Sequence, residues 1–170
     1  MCIRDRFYAP LVVTGLHHTF LAVDLQLIAN GGTMLWPLVA LSNIAQGSAA
    51  MAIFMLYKHD AKMKSMSLSA GISAWLGVTE PALFGVNLKY KYAFYAALIG
   101  SASAAVSIST GVLANSIGIG GLPAFLAIQP QYWINYIMAM GVAVVVPFVL
   151  TMVFHKKNEI VSEKVKKQTA

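Results

Sequence analysis

The chain of 170 residues is 58% hydrophobic and only 11% charged, with a mean hydropathy of +0.69, against the roughly 25% charge of an average soluble domain. Its net charge of +6 sits in short lysine-bearing loops and a C-terminal tail rather than on a basic stripe interleaved with aromatics, which argues against nucleic acid as a partner and for a membrane. The single cysteine, Cys2, supports neither a disulfide framework nor a metal site. His17 and His18 are adjacent and poorly placed to share a helix face, and no second cluster has metal-ligand spacing, so neither a metal nor another cofactor is expected.

Taken in chain order, Met1–Arg6 reads as foreign to the rest of the chain. It lacks the separate apolar stretch and small-residue cleavage site of a signal peptide and resembles a translated sequencing adaptor, so residues 1–6 are expected to be a non-native leader. On that reading the chain is the C-terminal part of something longer. Apolar runs at about 34–57, 93–117 and 132–154 each approach or exceed the roughly 20 residues that cross the hydrocarbon core as a helix. Two further runs, 7–29 and 66–88, are long enough to cross but carry polar and helix-breaking residues in their middles. The expected fold class is an all-α polytopic membrane protein.

Lysines set the orientation. Lys58, Lys62 and Lys64 follow the first full span, Lys89 and Lys91 precede the second, and Lys156, Lys157, Lys164, Lys166 and Lys167 follow the third, which places these positions and the C-terminus in the cytoplasm. The uncharged stretch 118–131 then falls outside. Residues 156–170 read as a solvated basic tail facing anionic lipid. Segment 66–88 is flanked by lysines on both sides and must enter and leave on one face. Around Trp75-Leu76-Gly77-Val78-Thr79-Glu80-Pro81, proline disfavours continued helix and glycine permits a tight turn, so a re-entrant hairpin with Glu80 at or near its tip is predicted. Such backbone is tolerated at membrane depth only where protein or a water-filled cavity satisfies its polar groups. The first segment repeats the theme with Thr14-Gly15-Leu16-His17-His18-Thr19, Asp24 and Gln26 before an Asn30-Gly31-Gly32-Thr33 turn, the kind of broken element that forms substrate sites in transporters.

Glu80 is the sole ionisable residue between Ser65 and Leu88, and an unpaired carboxylate in hydrocarbon costs several kcal/mol, which makes it a functional candidate. The plainer role is to cap the half-helix after the hairpin tip. His17 and His18 point about 100° apart on a helix, so at most one faces a site squarely; a core or interfacial histidine is the alternative, although neutral imidazole matches a sugar hydroxyl well. Asp24, seven residues after His17, shares its face if the segment stays helical, and is either a site residue or an inter-helix hydrogen-bond partner. Asn43 and Gln46 lie three apart on one face of a spanning helix, among small residues that equally suit close packing.

The stretch Gly77-Val78-Thr79-Glu80-Pro81-Ala82-Leu83-Phe84-Gly85-Val86-Asn87 resembles the signature hairpin of the IIC membrane component of bacterial phosphotransferase-system (PTS) sugar transporters of the glucose superfamily. Thr14-Gly15-Leu16-His17-His18 is similar to the histidine motif of the same family, and the resemblance runs from about residue 7 to 155. Within the superfamily, Asp24-Leu25-Gln26-Leu27-Ile28, Gly32-Thr33-Met34-Leu35-Trp36-Pro37 and Leu41-Ser42-Asn43-Ile44-Ala45-Gln46-Gly47-Ser48-Ala49 look most like trehalose-specific IIBC proteins, with the sucrose branch as near neighbour.

The resemblance implies a homodimeric permease of the bacterial plasma membrane whose transport part, residues 7–155, moves a disaccharide by an elevator-like displacement. A IIB domain, itself charged through IIA, then phosphorylates the sugar from a phosphocysteine. It implies Glu80 and His17 as sugar ligands, His18 and Thr79 beside them, and Asp24, Asn43 and Gln46 as further candidates. Glu80 is also a possible base for the attacking 6-hydroxyl. No IIB phosphocysteine is present, so this chain alone is expected neither to transport nor to phosphorylate. The competing function is an ion-coupled secondary transporter using Glu80 and Asp24 as proton or cation sites; a purely structural membrane scaffold would leave Glu80 and His17 without a role.

Overall fold

The computed structural model describes residues 19–57, 60–107, 111–116, 118 and 120–168. The leader 1–6 and the Thr14–His18 motif, with His17 and His18, lie outside the described residues. Helix α1 spans Thr19–Ala29, α2 Leu35–Leu56 and α3 Ala61–Trp75; a single turn, α4, covers Glu80–Ala82 and runs into a π-helical turn at Leu83–Asn87. Helix α5 spans Lys91–Ser107, two 3-10 turns cover Leu122–Ala127 and Pro130–Tyr132, and α6 spans Trp133–Gln168.

Helix α2 forms the axis of the bundle. Every residue from Ala40 to Ala50 is buried, as suits a helix with partners on all sides. On one side Ala40, Leu41 and Ile44 pack with Ala104 of α5 and Tyr136, Ala139 and Ala143 of α6; on the other, Ala49, Ala50 and Ile53 pack with Ala70 and Ala74 of α3, Ala82, Val86, and Ala93 and Ala97 of α5. Alanine at so many contacts lets the helix axes approach closely where lipid offers no hydrophobic drive between helices. Helices α2 and α6 are both long and apolar enough to cross a membrane. Helix α6 turns Ile134, Ile137, Met138, Val145, Val149 and Val153 outward, an apolar face suited to lipid.

Both ends of the bundle are distinct. At one end the described lysines Lys62, Lys64, Lys89, Lys91, Lys156 and Lys157 surround an aromatic group in which Tyr57 and Tyr90 lie 4.8 Å apart between ring centroids and Tyr92 Oη sits 3.2 Å from His155 Nδ1. Burial, reinforced by Tyr57, pushes the Tyr90 hydroxyl up to about 12, so it stays neutral. At the other end the Asn30–Thr33 turn forms as expected, with Gly31 and Gly32 at φ 114° and 129°. Thr33 and Ala114 exchange backbone hydrogen bonds of 3.0 and 2.9 Å, and Ala114 is also bridged to Ile128.

One expectation needs correction. The predicted span 93–117 is not helical throughout: α5 covers Lys91–Ser107, whereas Gly111 adopts φ 97° and Ala114 is backbone-paired in isolated bridges. Apolarity alone does not separate a buried extended segment from a helix, which is why hydropathy overran this end. Within the stretch 118–131, Gly120 and Gly121 are buried beside α2 and the end of α3. Helix α6 continues as one helix to Gln168, through the basic end of the chain.

Candidate functional site

The site is built around the hairpin formed by α3 and its return turn. Asp60 caps α3 by accepting from the amides of Lys62 and Met63, both at 3.1 Å. The helix runs antiparallel to α2 with glycines at the contact: a Cβ on Gly47 would lie 2.6 Å from Trp75 Cδ1, and one on Gly71 would lie 2.9 Å from Met51 Sδ. Trp75 closes the helix, its indole Nε1 donating to Ser48 Oγ at 3.3 Å.

The break after Trp75 has a defined geometry. Val78 N donates to Ser73 O at 2.9 Å and Gly77 N to Ala74 O at 3.0 Å, with Gly77 at φ 104°, which is the Schellman termination that glycine favours. Pro81 then falls in the first turn of α4, where its missing N–H costs nothing. The hairpin tip therefore lies beside residues 43–48 of α2, about 12 Å along that helix at about 1.5 Å per residue. A segment that starts at the lysine end turns back halfway through the bundle, as the re-entrant reading requires.

Thr79 is buried and Glu80 exposed. Among the described residues no hydrogen bond or ion pair holds the Glu80 carboxylate; Glu80 lies in the first turn of α4, and no side-chain hydrogen bond caps that turn. A free carboxylate at the tip of a mid-depth hairpin can accept hydrogen bonds from a hydroxylated ligand, and charge-assisted bonds are roughly twice as strong as neutral ones.

The remaining candidates take different places. Asn43 donates Nδ2 to Gly120 O at 2.6 Å, next to the tip. Gln46 is 1% exposed and both atoms of its carboxamide are without a partner among the described residues. Asp24 is buried near the start of α2, accepting from Thr33 Oγ1 at 2.6 Å, while the same Oγ1 accepts from Leu35 N at 3.1 Å. Thr33 and the hairpin tip are separated by ten or more residues of α2, on the order of 15 Å, so Asp24 and Glu80 do not form one ion-binding pair. Asn87 was not singled out by sequence reasoning, although it ends the Gly77–Asn87 stretch as a polar residue in an apolar run. It is fully buried, its Nδ2 donates to the backbone oxygen of Gln46 at 3.2 Å, and the π-helical turn Leu83–Asn87, closed by Leu88 N to Leu83 O at 2.8 Å, sets its direction.

An all-α bundle with two helices long and apolar enough to cross a membrane and a polar, broken hairpin at its centre fits the class of helical membrane proteins. The chain belongs to the EIIC family of the phosphotransferase system: the family model described as "Phosphotransferase system, EIIC" matches residues 5–101. It is 54% identical over 151 residues to the PTS system trehalose-specific EIIBC component of Bacillus subtilis (strain 168), covering 87% of this chain and 32% of that protein. It is 52% identical over 154 residues to the trehalose-specific EIIBC component of Escherichia coli (strain K12), covering 89% and 32% respectively. The PTS system sucrose-specific EIIBC component of Pasteurella multocida (strain Pm70) is 43% identical over 166 residues, 95% of this chain and 35% of that protein. The chain thus spans about a third of the length of the curated relatives it matches, 32% for the first two. No solved structure matches the chain.

Proposed function

We propose that this chain is the sugar-handling part of a phosphotransferase-system permease that binds a disaccharide, trehalose, and carries it across the plasma membrane for phosphorylation by IIB, with IIA as the upstream donor. The observation that carries this is Glu80, a carboxylate without a hydrogen-bond or ion-pair partner among the described residues, at the tip of a hairpin that turns back halfway along α2. Glu80 and His17 are the principal sugar ligands, with Thr79, His18 and Gln46 completing the site and Glu80 also a possible base for the 6-hydroxyl. Residues 7–155 form the transport part, residues 1–6 a non-native leader and 156–170 the cytoplasmic basic end, within a homodimer. Trehalose is preferred over sucrose because the trehalose-specific relatives are 54% and 52% identical, against 43% and 46% for two sucrose-specific ones.

The test exchanges this chain for the matching third of the Escherichia coli trehalose-specific relative and follows phosphoenolpyruvate-dependent phosphorylation of radiolabelled trehalose and sucrose in membranes. The expected result is trehalose phosphate, lost by on the order of 100-fold in Glu80→Ala, as removal of a charged acceptor worth about 3 kcal/mol implies. Glu80→Gln that still phosphorylates bound sugar would remove the base role and leave the ligand role. Sucrose as the faster substrate would reassign the sugar, and uptake that follows an ion gradient instead would overturn the proposal.

A further inference from the structure

The hairpin tip does not rest on side chains alone. Gly121 lies so close beneath it that an added Cβ would collide with the Trp75 carbonyl and approach Gly77 N to 2.8 Å; one on Gly77 would stand 2.9 Å from Gly120 N. Two stretches of non-helical backbone therefore cross in contact at the middle of the bundle, where backbone groups need protein partners because the surroundings supply few. Asn43, 6% exposed on the central helix, holds this crossing by donating to Gly120 O at 2.6 Å, and a Cβ on Gly120 would sit 3.0 Å from that same Nδ2.

We propose that Asn43 is a positioning residue for Glu80, acting through Gly120 and Gly121 on the turn at Trp75–Gly77, rather than a sugar ligand. This rests on the reading of Glu80 as the sugar-binding carboxylate. Thr79 and Glu80 follow Gly77 within three residues, so the height of the turn sets the height of the carboxylate. Helix α2 fixes the position of Asn43, and its hydrogen bond transmits that position to Gly120. Trp75 is also held by Ser48 and seated on Gly47 of the same helix, so the turn is tied to α2 both directly and through Gly120. One of the two Nδ2 hydrogens of Asn43 is thereby committed to the backbone of Gly120.

The test compares Asn43→Ala, Gly120→Ala and the double variant in the complete permease carrying this chain, using trehalose and its monodeoxy analogues. Positioning predicts a KM raised about tenfold in Asn43→Ala, the size of one hydrogen bond, with the relative ranking of the analogues unchanged and the double variant no worse than the poorer single one. Additive losses, or a loss that disappears for one deoxy analogue, would mark Asn43 as a direct sugar contact and overturn the proposal, as would an unchanged KM. Hydrogen–deuterium exchange on the same purified proteins decides the point without activity. Faster exchange at 76–80 and 118–122 with 61–70 unchanged supports positioning; unchanged exchange at 76–80 rejects it. If the unmutated permease is inactive, the reading of Glu80 fails while exchange still reports whether Asn43 holds the turn.

Discussion

Asp24 illustrates how a single residue type permits two roles that only its neighbour separates. Its carboxyl is 2% exposed and takes its hydrogen bond from Thr33, whose oxygen also receives the first amide of α2. A fold-holding role predicts that Asp24→Asn keeps both stability and trehalose phosphorylation, because an amide oxygen still accepts from Thr33. Thr33→Val, which strands a buried polar group and frees Leu35 N, should lower stability by about 1–3 kcal/mol, read as a thermal midpoint in detergent. Abolished uptake in a normally folded Asp24→Asn would instead favour the ion-coupled reading. Asn87 belongs to the same scale: fully buried and bound to the α2 backbone, it ties the return arm of the hairpin to the central helix.

Helix pairs are set by notches as much as by apolar surface. Helix α5 meets α6 where Gly100 faces Pro147; a Cβ on Gly100 would collide with the proline ring, lying 2.6 Å from its Cδ. Proline removes one helical hydrogen bond from α6, and Thr151 Oγ1 donates to Pro147 O at 2.7 Å within the same helix. Gly100→Ala should therefore destabilise the bundle by about 1–3 kcal/mol through overpacking. Adding Pro147→Ala removes the ring and should recover much of that loss, so the pair is non-additive when thermal midpoints of the single and double variants are compared. Additive losses would show that the two helices do not meet through this notch.

At the scale of the whole molecule the charges and the interior follow one axis. The described lysines gather at the end where Tyr57, Tyr90 and Tyr92 cluster, while Gln129 and Gln131 mark an end without Lys or Arg among its described residues. With the lysine end in the cytoplasm, a membrane-impermeant thiol reagent added to intact cells should label Gln131→Cys and leave Lys157→Cys unlabelled until the cells are opened. The reverse pattern would invert the assigned topology. Such labelling also tests the multi-pass arrangement, since the two positions lie at opposite ends of the apolar span Pro130–Lys157.

Much of this arrangement was legible from the residues in order. The run 34–57 became α2 nearly to the residue, Gly77 and Pro81 marked the turn and the restart of the hairpin, and Asn30–Thr33 marked the link into α2, because positive φ and a missing N–H are local properties of glycine and proline. Hydropathy and lysine placement likewise determined the membrane class, and motif resemblance the family. Tertiary structure alone decided which polar groups are taken and which are left free. Asn43, Gln46 and Asp24 all read as polar residues on apolar helices, yet Asn43 is bound by Gly120, Asp24 by Thr33, and the carboxamide of Gln46 has no partner among the described residues. The reason is that each outcome depends on residues far apart in the chain, 77 positions for Asn43 and Gly120, and a hydrogen bond is settled by distance and direction in space rather than by spacing along the sequence.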